Sequence, residues 1–67
     1  MKDGVTLDIE VFRCNGRYEA VIGDPDHATA LRGKGGTIPQ AISLLGLDAA
    51  AHPEYLAMHV ADAEKAS

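Results

Sequence analysis

The dipeptide Asn15-Gly16 limits what this chain can fold into more than any other feature. A two-residue type I′ turn needs positive φ at both central positions, and Asn followed by Gly meets that need at low steric cost. The residues before it alternate, with Val5, Leu7, Ile9 and Val11 on one side and Thr6, Asp8 and Glu10 on the other. The expectation is a strand over residues 5–14, the turn, and a second strand over residues 17–23. Such a turn also fixes the register. It sets Cys14 opposite Arg17, Arg13 opposite Tyr18, Phe12 opposite Glu19, Val11 opposite Ala20, Glu10 opposite Val21 and Ile9 opposite Ile22.

Directly opposed residues share a face of the sheet. Val5, Leu7, Ile9, Val11, Tyr18, Ala20 and Ile22 therefore form the expected core face. The outer face carries Thr6, Asp8, Glu10, Phe12, Cys14, Arg17, Glu19 and Val21, which is three carboxylates around a small apolar patch of Phe12 and Val21.

Asp24-Pro25-Asp26 reads as a turn, since Pro presets φ and Asp side chains bond nearby backbone. Residues 27–32 supply a third, weakly alternating strand, and Gly33-Lys34-Gly35-Gly36 a flexible connection. Thr37 and Gln40 form a capping box that opens a helix, with Pro39 harmless in the first turn. Ile38, Ala41, Ile42 and Leu45 give its buried stripe, and Gly46 its left-handed stop. Residues 48–52 read as an Ala-rich connection, and Pro53 as the first residue of a second helix reaching about residue 65. The predicted class is α+β: a three-stranded antiparallel sheet, a hairpin plus a third strand, packed by one helix, with a second helix after it. Residues 1–67 make a single domain, because a chain this short buries only about 60% of its unfolded surface.

That limit also leaves little room for a deep substrate cavity, and no residue pattern supplies catalytic chemistry. Asp8, Glu10 and Glu19 lie on an open sheet face, whereas an acid/base pair needs contrasting environments beside a cleft. His27, His52 and His59 lack the spacing that gathers metal ligands on one side of an element, so they read as surface residues. Cys14, alone and at a hairpin end, has no helix N-terminus or base to activate it. It also cannot form an internal disulfide, which suits a reducing cytosol. Met1-Lys2-Asp3-Gly4 lacks the apolar stretch of a leader, and no apolar run approaches the ~20 residues of a membrane span. The expectations are a cytoplasmic protein with no enzyme activity, cofactor, metal or membrane association. One sharper motif is Arg32-Gly33-Lys34-Gly35-Gly36-Thr37, a basic glycine-rich loop entering a helix, which has the makings of an anion site but not the residue order of a P-loop.

Ten acidic and six basic side chains give a net charge of −4. That sign opposes direct nucleic-acid binding, which Lys and Arg drive by displacing counterions. It favours basic protein surfaces, including those that hold DNA or RNA.

Two resemblances add to this reading. Arg17-Tyr18-Glu19-Ala20-Val21-Ile22, then Asp24-Pro25-Asp26, then Gly36-Thr37-Ile38-Pro39-Gln40-Ala41 follow the order of elements in HicB-like antitoxins. Residues 5–46 thus resemble that family's core, a partial double-stranded-RNA-binding fold, which implies neutralisation of a small RNase toxin by protein–protein binding. The size, acidity and absence of catalytic motifs resemble small phage-encoded anti-CRISPR proteins of type I systems, which implies a CRISPR surveillance complex as partner.

The expected function is a non-enzymatic inhibitor, anti-CRISPR-like, that blocks the DNA-binding or assembly surface of a nucleic-acid-handling complex, with antitoxin action as the alternative. The partner-binding residues are Asp8, Glu10, Glu19, Asp24, Asp26, Glu54, Asp62 and Glu64. Alternate strand residues stand about 6.5–7 Å apart, close to the phosphate spacing along one DNA strand, so the acids could stand in for phosphates. An exposed strand edge allows a monomer or a weak dimer.

Overall fold

The computed structural model describes residues 4–66; Met1, Lys2, Asp3 and Ser67 lie outside it, and with them most of the segment read for a leader. Strands β1 (Ile9–Cys14), β2 (Arg17–Ile22) and β3 (Leu31–Gly35) precede helices α1 (Ile38–Ala51) and α2 (Pro53–Ala66). The sheet is antiparallel, in the order β1-β2-β3, and α1 packs on it. This is the α+β architecture expected from the sequence.

Asn15 and Gly16 both take positive φ, 53° and 76°. All six cross-strand pairs between β1 and β2 match the register implied by the turn. The third strand does not. It starts at Leu31 and runs through Gly33 and Gly35, which the sequence had suggested were connection. The expected basic loop is thereby largely strand, with Arg32, Gly33, Lys34 and Gly35 all in β3.

The physical reason lies above those glycines. A Cβ on Gly33 would collide with the backbone of Leu45 and Ala41, and one on Gly35 would come within 2.8 Å of the Ala41 nitrogen. Glycine in a strand permits close approach of another backbone, and here that backbone is α1. Gly33 lies opposite Ala20, so small residues clear a shallow seat into which Ala41 and Leu45 descend. Ala20, Ile22, Leu31, Ala41 and Leu45 form the buried cluster, with Tyr18, Ala49, Tyr55 and Leu56 packed around it.

The seat is off-centre. Helix α1 covers β2 and β3, leaving every residue of β1 exposed. The expected core face is therefore only half realised. Ala20 and Ile22 are buried, whereas Ile9 and Val11 remain 43% and 42% exposed and Val5 is exposed too. The α1 stripe is corrected in the same way: Ala41 and Leu45 are buried, but Ile38 and Ile42 are exposed. On the outer face, Val21 of the central strand is buried, so the expected patch reduces to exposed Phe12.

At its start α1 obeys its cap. The Gln40 amide donates to Thr37 Oγ1 at 3.2 Å, and the Gly36 amide donates to Gln40 Oε1 at 2.8 Å. Gly46 does not stop it. The residue keeps ordinary negative φ and the helix continues through the supposed connection to Ala51. Alanines at 49, 50 and 51 have high helix propensity and carry the ladder past one glycine, whose cost is about 1 kcal/mol. His52 is the cap, its amide donating to the Asp48 carbonyl, and Pro53 begins α2 at once.

Candidate binding cleft

The eight acids read as partner-binding sort into distinct environments. Glu19 lies on the outer face with Lys34 directly opposite on β3, and their charged groups are 3.8 Å apart. Arg17 and Arg32 share that face by register. The outer face therefore runs from acidic on the β1 side to basic on the β3 side. Arg32 is engaged: its guanidinium donates to the Pro25 carbonyl and its amide to Asp48 Oδ2 at 3.0 Å. Asp24 accepts from the Asp26 amide at 3.0 Å, the local turn expected of that segment. Glu54 stands 3.5 Å from His52, whose ring stacks on Tyr55 at 5.0 Å between centroids. Asp62 and Glu64 are exposed on α2.

Asp8 and Glu10 differ from this group. Both are exposed, and neither has a hydrogen bond or ion pair to another described residue. They belong to the wall of a cleft of about 510 Å³, together with Val5, Leu7, His59 and Ala63. Residues 4–8 form one side of this cleft and α2 the other, with the end of β2 and Gly23 between. Val5 and Leu7 were expected in the core through the extended alternation. Instead the strand begins at Ile9, and these two residues line the cleft.

One residue misread from the sequence organises this region. His59 is half-buried rather than a plain surface histidine, and its Nε2 lies 2.9 Å from the Thr29 carbonyl oxygen. A carbonyl only accepts, so Nε2 carries the proton in this bond, and in the neutral ring Nδ1 is left as an acceptor. Gly23, at φ 93°, makes room for the imidazole; a Cβ there would lie 2.5 Å from His59 Cε1. The sequence signal for this pairing was Gly23, just after β2, which the sequence pattern placed simply at the end of the second strand.

Among the described residues, no group of three or more His, Cys, Asp or Glu side chains is placed to hold a metal. Cys14 is a free, exposed thiol beside the hairpin turn. No helix among these residues is long and apolar enough to cross a membrane. The cleft thus combines apolar walls, two carboxylates and an imidazole, with no Lys or Arg among the described residues that line it. No family model, curated protein or solved structure matches the chain.

Proposed function

We propose that this protein is a non-enzymatic inhibitor, anti-CRISPR-like in mode, that binds the basic surface by which a partner protein complex handles nucleic acid. The observation that carries this reading is the pair Asp8 and Glu10, exposed and without an ion-pair partner among the described residues, beside strand β1, each residue of which is exposed. Exposed carboxylates beside exposed apolar side chains (Ile9, Val11 and Phe12) give a contact with both charge complementarity and area to bury. Glu19, neutralised by Lys34, contributes less, so the phosphate-like row narrows to Asp8 and Glu10.

The test is affinity capture from host lysate with the parent chain and with the double charge reversal Asp8→Lys, Glu10→Lys. The parent is expected to retain a nucleic-acid-handling complex at low salt and release it at high salt, while the variant retains none of it. Equal capture by both chains overturns the reading. Retention of a small RNase instead would replace it with the antitoxin-like alternative.

A further inference from the structure

The cleft beside β1 has a shape and polarity that select one class of occupant. Its lining includes the aliphatic residues Val5, Leu7 and Ala63, which suit a hydrocarbon stem. Among the described residues its ionisable lining is Asp8, Glu10 and His59, with no Lys or Arg. With Nε2 donating to Thr29, the neutral ring leaves Nδ1 as an acceptor beside the two carboxylates. A group that buries an aliphatic stem and delivers a multiply donating cation at its tip fits both halves of this surface.

We propose that the cleft receives a single arginine or lysine side chain from the partner protein. Its stem would run past Val5, Leu7 and Ala63, and its charged head would meet Asp8, Glu10 and the His59 Nδ1. This rests on the preceding reading and deepens it, because it turns a diffuse electrostatic attraction into one anchored side chain. Anchors of this kind, one long side chain held in a pocket within a looser contact, carry a large share of interface energy.

The probe is N-acetyl-arginine N-methylamide, titrated into the full chain and followed by amide NMR, with the uncharged citrulline analogue as control. The expected result is saturable shifts at Leu7, Asp8, Gly23 and Ala63 with the arginine probe and clearly weaker binding of the analogue. Asp8→Asn with Glu10→Gln should weaken binding about fivefold, the scale of one half-exposed ion pair. Ala63→Leu, which narrows the cleft without removing a charge, should abolish the shifts while the rest of the spectrum stays folded. Equal shifts from the citrulline analogue, or shifts confined to the Phe12–Lys34 side of the sheet, overturn the proposal. A chain that ignores the arginine probe yet still loses its captured partner on charge reversal at Asp8 and Glu10 sinks the anchored side chain and leaves the inhibitor reading standing.

Discussion

Strands β1 and β3 occupy equivalent places, each at one edge of the same three-stranded sheet. Yet β3 has Leu31, Gly33 and Gly35 buried under a helix, whereas each residue of β1 is exposed. By hydrophobic alternation β1 is the stronger strand of the two, with Ile9 and Val11 against the glycines of β3. The weaker pattern is nonetheless the one that is covered. Alternation marks the face that gains from burial, but it does not say where the covering helix will sit. Close approach decides that, and here the positions without a Cβ let the backbone of α1 descend over β3.

This contrast can be broken by experiment. The largest effect is expected at Gly33→Ala, because the added methyl meets helix backbone that has no rotamer with which to move away. A loss above about 3 kcal/mol, enough to unfold most of so small a domain, should appear in urea melts followed by circular dichroism. A near-neutral result would mean that α1 does not lie so close. Leu45→Ala, inside the cluster, should lower stability by about 2–3 kcal/mol. Thr37→Ala, removing the cap that starts α1, should cost about 1 kcal/mol in the same melts. Val11→Thr should lie within about 0.5 kcal/mol of the parent, as for a surface site. If Val11→Thr instead matched Leu45→Ala, β1 would be covered in solution, and a melting temperature that rose with protein concentration would name a second copy as the cover.

The same contrast explains what could be read from residues alone. The hairpin was legible to the single pair because Asn15-Gly16 is a local device, and local geometry propagates along a ladder. The Thr37–Gln40 cap was legible for the same reason. Gly33, Gly35 and Gly46 were misread, since a glycine's role depends on what lies above it: two admit a neighbouring backbone and one sits inside a helix that its alanines sustain. For the candidate site, Asp8 and Glu10 were visible as charges on a strand pattern. Their separation from Glu19 required knowing that β3 places Lys34 opposite that carboxylate. His59 was not visible as a cleft residue, because its partner Thr29 lies 30 positions away in the chain.

The junction between the helices has a mechanical corollary. A single residue, His52 at φ −129° and ψ 63°, separates the last residue of α1 from the first of α2. With no loop between them, the two torsions of His52 set the direction in which α2 leaves α1. Helices rise about 1.5 Å per residue, so Ala63 sits about 15 Å out along that arm, and a swing of ten degrees at His52 would carry it by about 2.5 Å. The aperture facing residues 4–8 thus depends on one junction residue at the start of the arm and on the His59–Thr29 bond farther along it.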